Sequence, residues 1–246
     1  MHIDLNADVG EECGDDAALI PLLSSANVCC GVHAGGPETM RRTVARCVTN
    51  SVAIGAHFSY PDREHFGRRD LDLPPTDITA SVLQQLRELD AIARVAGSHI
   101  RYLKAHGALY NRMAVDAVVA DAVIAALKAF EPSLPLLTLP DCTAMTRARS
   151  QGVTVVGEAF ADRGYRDDGR LQPRGEAGAL LTDSVQVSER VVTWLRTGSL
   201  PSVTGKPLKI TARSLCVHGD TPGAAKIAGH LCDALRGAGI AIEAFA

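Results

Sequence analysis

The chain lacks an excess of charge of either sign: 25 Lys and Arg stand against 28 Asp and Glu, a formal net charge of -3. Phosphate neutralisation needs a basic surface, so nucleic acid is not an expected partner. The start "MHIDLNADVG" has no basic segment followed by an apolar one, and no later run approaches the ~18 apolar residues that cross a bilayer. No membrane association is therefore expected, and a cytoplasmic location is. Among seven cysteines there is no C-x-x-C pair, and most lie in apolar segments, which predicts buried free thiols rather than a structural zinc. H-E-x-x-H, G-x-S-x-G and G-x-G-x-x-G are all absent, and "GSLPSVTGKP" has the wrong glycine spacing for a P-loop, with Pro207 where Ser or Thr is needed. No linker, repeat or low-complexity tract divides the sequence. Residues 1–246 are read as a single domain, a length that suits one barrel-like α/β unit of roughly 250 residues.

What is present is a set of apolar runs that end alike. "IDLNAD" ends in Asn6 and Asp8, "ANVCCGVH" in His33, "VAIGAH" in His57 and "IRYLKAH" in Lys104 and His106. "VTVVGEAFADR" passes through Glu158 to Asp162 and Arg163, and "LCVHGD" ends in His218 and Asp220; only "LPLLTL" ends without an ionisable group. Helical patterns lie between them. "PETMRRTVARCVTN" opens on Pro37, and "PTDITASVLQQLRELDAIARVAG" carries Ile78, Val82, Leu86, Leu89 and Ile92 on one face before Gly97. Strands separated by helices return in one direction because βαβ crossovers are right-handed, so the fold class is α/β with a parallel sheet. Closing it into a seven-stranded (β/α) barrel would gather all the polar endings on the carboxyl face, over one cavity. An open doubly wound sheet would spread them along an edge. Two long loops, residues 59–75 and 160–178, would leave the same rim, as binding segments or as solvated surface.

Four histidines, His33, His57, His106 and His218, are candidate acid/base groups, with Asp8 or Asp220 fixing a tautomer. Lys104 is a candidate for stabilising charge on a carbonyl oxygen. Alternatively, a divalent metal would take Asp8, His33 and His57 and activate a bound water. Arg163 is a candidate for a substrate carboxylate, by a bidentate contact.

"IDLNADVGE", "SANVCCGVHAGG", "VAIGAHFSYPDREHFGRR", "YLKAHGALYN", "EAFADRGYRDDGRLQPR" and "CVHGD", in this order, resemble the LamB/YcsF family over residue 3 to about 240. The resemblance implies a barrel of the glycoside hydrolase/deacetylase type. It also implies an ATP-dependent 5-oxoprolinase reaction, opening 5-oxo-L-proline to L-glutamate with two partner subunits, B and C (PxpB and PxpC). Amide resonance makes a lactam a poor electrophile, and phosphorylating the amide oxygen with ATP as co-substrate would overcome this. On that reading Asp8, His57 or His218 activates water, assisted by Asp220. Lys104 and His106 stabilise the oxyanion or phosphoryl group, and Asn6, His33, Glu158 and Arg163 hold the substrate. Two other readings remain open: a stand-alone metal-dependent amidohydrolase or deacetylase, and a non-catalytic protein that only binds the substrate.

Overall fold

The computed structural model describes residues 1–246. Seven parallel strands form the barrel: β1 (His2–Val9), β2 (Ser25–Cys29), β3 (Ala53–Phe58), β4 (Tyr102–Ala105), β5 (Leu136–Thr138), β6 (Val155–Phe160) and β9 (Ser214–Val217). They pair in that order, and β9 pairs back onto β1 through Asp4↔Ser214 to Ala7↔Val217, so the sheet closes. The order is sequential because each strand is followed by a connection that returns the chain in the same sense. A hairpin, β7 (Ser199–Pro201) with β8 (Pro207–Lys209), occupies the stretch that only superficially resembles a P-loop. The short β10 (Ala241–Ile242) adds to the start of β1.

The helices are α1 (Asp16–Leu19), α2 (Pro37–Thr49), α3 (Pro75–Val95), α4 (Gly107–Met113), α5 (Ala117–Phe130), α6 (Thr143–Ser150), α7 (Ser184–Thr197) and α8 (Ala224–Gly237). Their boundaries follow local chemistry. Pro37 and Pro75 each open a helix where a missing N–H costs nothing. Asp116 and Asp183 accept the orphan N–H groups of α5 and α7, and Gly198 ends α7 in the left-handed conformation. The α4 turn directly after His106 has no counterpart among the expected helices, being too short to show a periodic face. No helix is long and apolar enough to cross a membrane.

The strands alternate in an unusual sense. In β1, Ile3, Leu5, Ala7 and Val9 join the main apolar core, while Asp4, Asn6 and Asp8 bond to one another's neighbours across the barrel. The apolar packing lies between sheet and helices, and the barrel interior is largely a polar hydrogen-bonded stack. Burial requires such groups to be partnered, and these are. Asn6 donates to Glu158 (3.1 Å) and Ser214 (2.7 Å), and Asn27 donates to Asn6 (2.7 Å) and Asp8 (2.8 Å). Tyr102 donates to Asn27 at 2.6 Å, and its ring packs on Phe245 from the C-terminal tail at 4.8 Å between centroids. All seven cysteines are free, and five are buried.

Candidate active site

Asp8, Lys104 and Glu158 meet just inside the carboxyl end of the barrel, contributed by β1, β4 and β6. The Lys104 ammonium lies 2.9 Å from Asp8 Oδ1 and 2.8 Å from Glu158 Oε1, and it approaches the Cys216 sulfur at 3.3 Å. Burial alone would neutralise such a lysine, but Asp8, Cys216 and Glu158 outweigh it and hold Lys104 well above its usual range. Burial likewise pushes Asp8 up, yet His57 and Lys104 hold it well below the carboxylate range. The ammonium is thus a fixed positive charge, and Tyr110 of α4 secures the other Glu158 oxygen at 3.1 Å.

Two histidine groups flank this ion trio. On one side His33 and His106 stack face to face, 3.9 Å apart and 9° from parallel, with His57 edge-on to both. A single carboxylate oxygen, Glu11 Oε1, sits 3.1 Å from His33 Nε2, 3.1 Å from His106 Nδ1 and 3.5 Å from His57 Nε2. Burial pushes His33 down to about 4, so its imidazole stays neutral at physiological pH. The 59–75 loop closes over this group. Phe66 adopts a left-handed φ of 55°, and its carbonyl lies 2.9 Å from His106 Nε2. Gly67 follows because a Cβ there would come within 2.3 Å of Ser59 Oγ.

On the other side His218 stacks on Phe160 (5.1 Å, 17°) and its Nδ1 is 3.0 Å from Asp162. Asp162 also accepts the His218 backbone N–H and the Thr221 hydroxyl. Burial raises the Asp162 carboxyl, but His218 and these hydrogen bonds bring it below its ordinary value. The carboxylate that orients His218 is therefore Asp162, and not Asp8 or Asp220. Asp220 instead bridges Arg68 from the first long loop and Arg174 from the second, clipping both over the mouth.

A cavity of about 920 Å³ opens above, lined by Asp8, His57, Lys104, His106 and His218 and by both long loops. Its lining carries seven Lys and Arg against four Asp, which favours an anionic occupant. Of the residues expected to meet a substrate, Asn6, Glu158 and His33 lie beneath or behind that surface, fully buried. Arg163 does line it, but its Nε and one terminal nitrogen donate to the carbonyls of Ala179 (3.0 Å) and Gln172 (2.6 Å). Of the expected metal set Asp8, His33 and His57, Asp8 Oδ1 lies 3.5 Å from His57 Nε2, but the three do not form one compact group. His33 and His57 group with Glu11 and His106, whereas Asp8 groups with Cys216 and His218, each set within 4.8 Å. Glu11 is not among the residues that the strand endings single out, because it follows the end of β1 by two positions, after the Gly10 turn. The only signal was a second acid on the same rim.

The LamB/YcsF family model matches residues 3–246. The chain is 47% identical to a protein from Agrobacterium fabrum that is named as a 5-oxoprolinase A subunit, over 99% of this chain and 98% of that one. It is 48% identical to the 5-oxoprolinase A subunit from Kocuria rhizophila, over 99% of each. The crystal structure of a lactam utilization protein from Thermus thermophilus superposes over the whole of both chains with a TM-score of 0.94, at 38% identity. Fold, motifs and full-length similarity agree, and the chain belongs to the LamB/YcsF family.

Proposed function

We propose that this protein is the A component of an ATP-dependent 5-oxoprolinase, a hydrolase of a cyclic amide that works with subunits B and C (PxpB and PxpC). The observation that carries this reading is the ammonium of Lys104, held between two carboxylates at the floor of an arginine-rimmed cavity. A lactam carbonyl placed there meets a fixed positive charge where its oxygen gains negative charge, with little reorganisation required. Full-length similarity to proteins named as 5-oxoprolinase A subunits supports the same reading.

The chemistry then runs in balanced steps. The amide oxygen takes the γ-phosphoryl group of ATP, releasing ADP, and the ring carbon becomes electrophilic. Water adds to that carbon as His218, oriented by Asp162, accepts its proton. Returning the proton to the ring nitrogen lets the C–N bond break and opens the ring to an acyl phosphate. A second water releases phosphate and glutamate. Arg68 and Arg174 at the rim suit the substrate carboxylate or the phosphoryl group, since a planar guanidinium pairs with either. Dependence on ATP puts the reaction in the cytoplasm.

Reconstitution with both partner proteins tests this directly, measuring glutamate and phosphate with each component omitted in turn. His218→Ala and Asp8→Asn, both checked for folding, should each lose ~10²-fold or more in turnover. Glutamate release by this chain alone, without ATP, would instead indicate a stand-alone amidohydrolase. Undiminished turnover in both variants would leave it a holder of substrate for chemistry performed elsewhere.

A further inference from the structure

The Glu11–His33–His57–His106 group is harder to explain by hydrogen bonding than by a cation. Phe66 O lies 2.9 Å from His106 Nε2 and requires the proton there. A neutral His106 then has a bare Nδ1, which can accept from His57 Nε2–H at 3.0 Å but still faces the ionised Glu11 Oε1 at 3.1 Å, lone pair to lone pair. Protonating His106 leaves one Nδ1–H to serve both Glu11 Oε1 and His57 Nε2, which lies 3.0 Å away. His57 Nε2 must then be bare, facing carboxylate oxygens of Asp8 and Glu11 at 3.5 Å each. Its Nδ1 is buried with no hydrogen-bond partner. Either proton arrangement leaves buried acceptors opposed to acceptors, which is costly.

A metal ion removes the conflict, because all four inward atoms become donors of lone pairs to one centre once the His33 ring, stacked 3.9 Å from that of His106 and 9° from parallel, turns so that both ring planes contain the ion. We propose that Glu11, His33, His57 and His106 form a binding site for one divalent transition-metal ion of the zinc type. Three imidazoles and one carboxylate suit zinc, cobalt or manganese rather than calcium or magnesium, which prefer oxygen alone. The spacings fit. Ligands at ~2.0–2.1 Å from a tetrahedral zinc lie roughly 3.3 Å from one another, and the close pairs here are 3.0 to 3.5 Å apart. His106 has the outer support typical of a metal ligand, its second nitrogen bonded to a backbone carbonyl. His57 and His106 line the cavity, so an ion has a route in.

The test uses the full-length, tag-free chain with no substrate, ATP or partner, so its outcome is separable from the lactam reading. Chelator-stripped protein titrated with Co²⁺ should bind one equivalent, develop visible d–d absorption and release the Co²⁺ to Zn²⁺. Glu11→Gln and His33→Ala should each weaken Co²⁺ binding at least ~10-fold. X-ray absorption of the zinc-loaded wild type should show a shell dominated by imidazole nitrogen, which decides the matter even where a variant does not fold. Absence of stoichiometric binding by the wild type, unchanged affinity in both folded variants, or a zinc–sulfur shell from Cys29, whose sulfur lies 3.4 Å from His33 Nε2, overturns the assignment.

Discussion

Asp162 holds His218 by Nδ1, and its neighbours leave it little freedom: a backbone N–H and the Thr221 hydroxyl donate to the same carboxylate. Replacing it by Asn puts an N–H donor among three donors. The His218 ring then favours the tautomer with the proton on Nε2, which cannot accept one from water. Asp162→Asn should therefore lower kcat of the reconstituted enzyme by ~10²- to 10⁴-fold while KM changes little. A purely structural role for Asp162 would reduce stability and leave the kcat of the folded fraction intact. At the residue scale the sequence points to His218 but offers Asp8 or Asp220 as the carboxylate beside it. Asp220, two residues away, turns outward to Arg68 and Arg174, whereas Asp162 arrives from two residues past the end of the neighbouring strand β6.

The strands make their interior from small and polar residues, and Gly55 of β3 shows why. A Cβ at this position would lie 2.2 Å from the Tyr102 ring of the adjacent β4. That ring is fully buried, tethered by its hydroxyl to Asn27 and backed by Phe245. It has nowhere inexpensive to go. Gly55→Ala should destabilise the fold by about 1–3 kcal/mol, read as a lower urea midpoint at unchanged m; wild-type stability would show that the tyrosine can shift. The helices are legible in the sequence because their apolar positions recur at helical spacing and their ends carry Pro, Asp or Gly. The strands are legible as apolar runs, but the alternation of Asp4, Asn6 and Asp8 with Ile3, Leu5 and Ala7 does not announce which set faces inward, since a polar barrel interior inverts the usual arrangement.

At the scale of the whole molecule, closure depends on a polar seam. Asp4 of β1 accepts hydroxyls from Ser24 and Ser25 on one side (2.6 Å each) and from Ser214 of β9 on the other. Burial, outweighing these three hydrogen bonds, pushes the Asp4 carboxyl up to about 6. The folded chain thus binds this proton more tightly than the unfolded chain does. Its contribution to stability is complete below about pH 4 and is lost as pH rises through 6. Asp4→Asn abolishes that dependence, so the variant should gain on the wild type between pH 4 and 7, on the order of 2–3 kcal/mol, in urea unfolding followed across pH. A constant difference between the two proteins would show that Asp4 stays ionised throughout.

The order of elements, their parallel sense and the polar endings of six strands are properties of local pattern, because helix and strand periods and capping chemistry act over a few residues. The pairings that make a site are not. Whether Asp8 meets Lys104 or His33, which carboxylate faces His218, and whether an arginine's donors are spent on its own loop depend on strand register and on the direction of each side chain at the rim. These follow from closing β9 onto β1, which brings together residues up to 210 positions apart. Local sequence carries no record of such contacts, so tertiary structure alone decided that Glu11 joins the three histidines and that Asp162 is the carboxylate facing His218.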